Sequence, residues 1–252
     1  MTNPAIASQY IAEDMDAKNW RQVLTKIDEL ASAPEKWDYA AAGLLSGYAT
    51  DRTKRKDLIR FVKQNRDILS QSEQAWGEAG YALVNHDLTQ MVQAHFAGWR
   101  DRPNIKPWML TNLACAYMND DQLREAAELS DYCLGLPPDH SFPMHITNLA
   151  HCEANVGDPA QALALLEQIV LEAETPGTQF EYELARAAAT ARAHGGARLS
   201  RAWNAIKNAR RYHPQYKLEP GSKKSYQRTV KTVGAQGGML GKLRAWFHLL
   251  QQ

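Results

Sequence analysis

Histidine and cysteine crowd one stretch of the chain: His140, His145, His151 and Cys152. Imidazole and thiolate together form a zinc ligand set, and a thiol beside an imidazole is the pair of a nucleophilic mechanism. The spacing argues against both. His145 and Cys152 are seven apart and share one helical face, whereas His151 projects about 100° from Cys152 and His140 falls in a loop. A nucleophilic Cys152 or Cys115 would need an orienting base and an oxyanion site, and no local signature shows them. The stretch Gly237-Gly238-Met239-Leu240-Gly241-Lys242-Leu243 imitates a phosphate-binding loop. However, Gln236 stands where its first glycine belongs, Leu243 where a hydroxyl should follow the lysine, and no strand precedes it. No HExxH, GxSxG or dinucleotide fingerprint occurs. The expectation is a chain with no catalytic residues, no metal and no cofactor.

Asparagine is the other residue type whose placement stands out. Trp108, Asn112, Cys115 and Asn119 follow steps of four, three and four, which keeps them on one face of a helix. Met144, Asn148, His151 and Asn155 repeat those steps, and Gln74, Glu78, Tyr81 and Asn85 form an earlier copy. Asparagine amides both donate and accept, so a row of them can grip the backbone of a partner segment. Trp108, Tyr81 and Met144 would add apolar selectivity. Asn85, Asn119 and Asn155 also suit helix C-termini, where Asn turns the chain. Asn112 and Asn148 sit mid-helix, against propensity.

The elements that position these residues read as helices. Strand signals are nearly absent. Helical patterns are separated by breakers such as Ala33-Pro34, Arg102-Pro103, Pro137-Pro138, Gly157-Asp158-Pro159 and Pro220-Gly221. Trp76, Ala79, Gly80 and Leu83 recur 34 residues on as Leu110, Leu113, Ala114 and Tyr117, and 36 further as Ile146, Leu149, Ala150 and Glu153. Second helices follow suit, with Val92/Phe96, Ala126/Ser130 and Ala162/Leu166. A later pair shows Ala202 and Ile206 with Pro214. Small residues let helix backbones approach, and large ones fill the adjacent holes. In period and pattern the chain resembles the tetratricopeptide repeat family, most clearly over 72–170. The resemblance implies an all-α, right-handed α-solenoid of about six helical pairs plus C-terminal helices, whose first helices line a concave groove. The expected divisions are 1–70, degenerate helical pairs in which Leu45, Leu58 and Val62 keep register; 71–216, the repeats; and 217–252, basic C-terminal helices.

Net charge is +1, but its distribution is lopsided. Residues 1–184 carry 15 basic and 27 acidic side chains, while 185–252 carry 14 basic side chains and one acid, Glu219. Such a split points to a polyanionic partner for the C-terminal part, to docking between the halves, or to head-to-tail self-association. A polyanion surface would use Arg198, Arg201, Lys207, Arg210, Arg211, Lys223, Lys224, Arg228 and Lys231. The last helix carries Leu240, Leu243, Phe247 and Leu250 on one face, so it either caps the repeats or anchors to a partner or an anionic membrane. No apolar run is long enough to span a bilayer, and the N-terminus lacks the basic start and apolar core of a secretory signal. The odd count of three cysteines fits a reducing, cytoplasmic setting. These features predict an interaction scaffold that holds a peptide or helix in its groove, with polyanion or anionic-membrane binding as the alternative and homo-oligomers possible.

Overall fold

The computed structural model describes residues 4–212 and 220–250. Pro214 and the expected boundary at 216 lie outside them. All regular structure among the described residues is helical. The chain divides into two compact units, Met1–Arg102 and Pro103–Gln252.

The first unit runs α1 (Pro4–Asp16), α2 (Trp20–Glu29), α3 (Pro34–Thr50), α4 (Arg55–Gln64), α5 (Arg66–Gln71), α6 (Gln74–Asn85) and α7 (Thr89–His95). Pro34 opens α3 at a position where a missing N–H costs nothing. Apolar residues on two of its sides, Ala40, Ala41, Leu44, Leu45 and Tyr48, bury it between α1, α2, α4 and α6. A Cβ at Gly47 would fall 2.4 Å from Met15 and 3.1 Å from Trp20, so glycine is what lets those side chains lie against α3. Asp38 of α3 caps α6 from outside: its carboxylate accepts from the backbone N–H groups of Glu73, Gln74 and Ala75 at 2.6–3.1 Å. Leu45, Leu58 and Val62 are all buried.

The second unit runs α8 (Pro107–Asn119), α9 (Leu123–Leu134), α10 (Phe142–Asn155), α11 (Pro159–Leu166), α12 (Pro176–His194), α13 (Leu199–Tyr212), α14 (Pro220–Gln236) and α15 (Gly238–Leu250). From α8 to α13 each helix packs on the next, and the first helices α8, α10 and α12 also touch one another in turn. Ala114, Ala126, Ala150 and Ala162 are fully buried at these crossings. Asp87, between α6 and α7, and Asp121, between α8 and α9, lie 34 residues apart, and both adopt the left-handed region with φ of 56° and 60°. The repeated spacing therefore carries a repeated turn.

Two C-terminal features depart from simple stacking. Helix α14 touches α8 as well as α12, α13 and α15, so it lies across the row of first helices. Its apolar side, Tyr226, Val230 and Val233, joins Phe180, Leu184, Trp203 and Ile206 in one core. Helix α15 packs on α14 through small residues. A Cβ on Gly241 would meet the Gly234 carbonyl oxygen at 2.5 Å, and one on Gly234 would meet the Ala245 Cβ at 2.6 Å. Of the glycines that imitate a phosphate loop, Gly237 and Gly241 are therefore close contacts, while Gly238 has a φ of 59° with open space around it. Leu240, Leu243, Phe247 and Leu250 point away from it, because the buried side of α15 is Gly241 and Ala245.

Candidate interaction surface

In the second unit the asparagine stripes of α8 and α10 lie beside one another, and α14 rests on them. Lys224 Nζ donates to the Asn119 carbonyl at 2.5 Å and stands 3.9 Å from Asp120. Arg228 donates to the Asp121 carboxylate at 2.6 Å and 3.0 Å, to the Met118 carbonyl at 2.5 Å, and to His151 Nε2 at 3.2 Å. Thr232 donates to Asn155 Oδ1 at 2.9 Å. Lys224, Arg228 and Thr232 are spaced by four, so one side of α14 makes all of these bonds while Tyr226, Val230 and Val233 face the core. The acceptors arise for a local reason. Helix α8 ends at Asn119, the negative end of its dipole, and Asp120 and Asp121 follow directly, so this end is doubly attractive to cations.

The contact is polar, open to solvent at Lys224 and Asp121 and buried at its inner end. Asn148 and His151 are at most 1 % exposed. Arginine can only donate, so His151 Nε2 holds the lone pair and its proton sits on Nδ1, 3.4 Å from Glu181 Oε2 on α12. Burial lowers the His151 pKa to about 3, and Arg228 adds to the shift. Burial raises Glu181 to about 7, while Ser225 and Arg228 of α14 oppose the rise. Burial also pushes Cys115 up to about 12, which favours the protonated thiol. Cys152 is pushed to about 12 by the same cause and packs among Met118, Leu123 and Ala126.

Other members of the stripes do more ordinary work. Trp108, Asn112 and Met144 are half-buried. Asn155 Nδ2 donates to the His151 carbonyl four residues back, closing its own helix while its oxygen serves Thr232. Asn85 in the first unit does the same to Tyr81. There Gln74 is half-buried and Tyr81 exposed, while Glu78 Oε2 is buried without a hydrogen bond, and burial raises its carboxyl. His145 Nε2 donates to the Pro107 carbonyl at 3.0 Å and lies 3.1 Å from the Thr111 hydroxyl, which makes it a core histidine. Among the described residues no three His, Cys, Asp or Glu side chains converge as metal ligands, and no helix is long and apolar enough to cross a membrane.

The basic set divides. Lys224 and Arg228 are spent on α8 and its following turn, which is docking of one half on the other rather than a free polyanion surface. The cause is plain Coulomb pairing with Asp120 and Asp121. Arg198, Arg201, Lys207, Arg211 and Lys231 are exposed, Arg210 and Lys223 partly so. Sequence reasoning missed Glu181, Asp121 and Thr232. No family model matches the chain, and neither curated proteins nor solved structures give a match.

Proposed function

We propose that this chain is a non-catalytic interaction scaffold of tetratricopeptide type, whose inner face grips a basic helical segment. The observation that carries this reading is α14 itself. It lies on the Asn119–His151–Asn155 face and is held through side chains spaced by four, with cations on acids and Thr232 on an amide. A face built to hold one such helix can hold another, and α14 then acts as a resident occupant that a partner helix replaces. The 34-residue recurrence of both the packing residues and the left-handed Asp87 and Asp121 turns supports a solenoid of repeats. The charge split supports a cationic occupant: the acids stand on the repeats and the cations on the segment laid over them.

A reversible lock tests the proposal. Thr232→Cys with Asn155→Cys puts two thiols at a 2.9 Å side-chain contact, and loss of free thiol on oxidation verifies the cross-link before capture is measured. Oxidised, the variant should retain its fold and lose at least tenfold in capture of its partner from cell extract. Reduced, it should regain capture. Equal capture in both states would show that partners do not use this face.

A further inference from the structure

Helix α15 shows the solvent its apolar side. Met239, Leu240, Leu243, Trp246, Phe247 and Leu250 are each more than half exposed, from 51 % to 81 %. At about 100° per residue these six occupy one arc about 120° wide. Lys242 borders the arc on one edge and Arg244 on the other. The opposite side, Gly241 and Ala245, is the one fixed to α14. So large a contiguous apolar patch on an otherwise polar surface marks an interaction site.

Beside the Arg244 edge lies a cavity of about 290 Å³ lined by Trp203, Lys207, Arg210, Tyr226, Arg244 and His248, with Asn204. No acid lines it. The Arg244 guanidinium lies 4.8 Å from the Trp203 ring centre, and that ring stacks on His248 at 5.0 Å. Arg210 lies 5.6 Å from the Tyr226 ring centre, and its Nη1 is buried with no hydrogen-bond partner. Three cations around one cavity form a receptor for a phosphate-type anion.

We propose that α15 is an interfacial helix that docks on an anionic phospholipid surface, with its apolar arc among the acyl chains and a lipid headgroup in the Lys207–Arg210–Arg244 cavity. The inference goes beyond the scaffold reading and does not depend on it. Thirteen residues of helix are about 20 Å long, which suits lying in the interface and is too short to span it. Tryptophan and phenylalanine favour the headgroup boundary, and cations on both edges of the arc can reach up to the phosphates. A second copy of the chain fits less well. Pairing two such faces about a two-fold axis brings Lys242 and Arg244 toward their own copies, and α15 carries no acid to offset them.

Vesicle flotation of the full chain tests this at low ionic strength. The wild type should float with phosphatidylcholine–phosphatidylserine vesicles and stay behind with phosphatidylcholine alone. Trp246→Glu with Phe247→Glu, both at exposed positions, should lower the affinity at least tenfold with an unchanged melting curve. Lys207→Glu with Arg210→Gln should weaken binding severalfold, and adding salt should do the same to the wild type. Soluble glycerophosphoserine should not displace the protein. Absence of wild-type flotation, flotation indifferent to the Trp246/Phe247 change, or full displacement by the soluble headgroup would overturn the proposal. So would a dimer that Trp246→Glu with Phe247→Glu dissolves. The disulfide lock on α14 reads a different face, so either result can fail while the other stands.

Discussion

Glu181 stands on α12 with Oε2 buried, 3.4 Å from His151 Nδ1 and close to Arg228 of α14. Its carboxyl is raised from 4.5 to about 7, so the folded chain holds that proton more tightly than the unfolded chain does. The stability this gives is complete below pH 4.5 and is lost as pH rises through about 7. His151 runs the other way. Its pKa falls from 6.5 to about 3, so its contribution is present above 6.5 and is lost as pH falls toward 3. Glu181→Gln removes the first dependence. At about pH 8 the variant should melt higher by roughly 2–4 °C, and the decline of wild-type stability across the neutral range should flatten. Thermal melts over a pH series check this. At this scale the sequence was partly legible. Asn119, His151 and Asn155 could be read as one face because helical spacing is local. Their bonds to Lys224, Arg228 and Thr232 could not, since the partners stand 77 to 105 positions away and no periodicity relates them.

Helices α14 and α15 meet through Gly234, Gly237, Gly241 and Ala245, and this contact decides which face α15 presents. A methyl on Gly241 reaches 2.5 Å from the Gly234 carbonyl oxygen, which is backbone and cannot swing aside. Gly241→Ala should therefore part the two helices at a cost of about 1–3 kcal/mol. The stacking of Trp203 on His248 should go with it. Urea denaturation and near-ultraviolet circular dichroism read the two effects. The sequence did not show this contact, because a glycine that permits motion and one that permits close approach look alike without the neighbour. The same limit applied to Leu240, Leu243, Phe247 and Leu250. Their spacing defined an apolar face correctly, yet a smaller stripe of Gly241 and Ala245 on the opposite side supplied the better fit to α14. The helical register of α6, α8 and α10 was legible by contrast, since small and large residues alternate there at a fixed period and each packs on its neighbour in sequence.

Across the second unit, opposite charge and helix geometry act together. Acids gather where α8 ends, cations gather along α14, and the pairing lays the polar side of α14 over the first helices while its apolar side closes the core with α12, α13 and α15. The segregation of charge was visible in the sequence, and so were three possible outcomes; only the three-dimensional contacts chose docking of one part on the other for Lys224 and Arg228. These polar contacts hold α14 on the face formed by α8 and α10. Amide hydrogen exchange measures this hold directly. In the wild type, α14 should be protected alongside α12. Lys224→Glu with Arg228→Glu places like charges against Asp120 and Asp121, and should raise exchange in α14 at least tenfold while α12 and α13 keep most of their protection. Exchange of α14 at free-peptide rates in the wild type, or protection unmoved by the double charge reversal, would contradict the account.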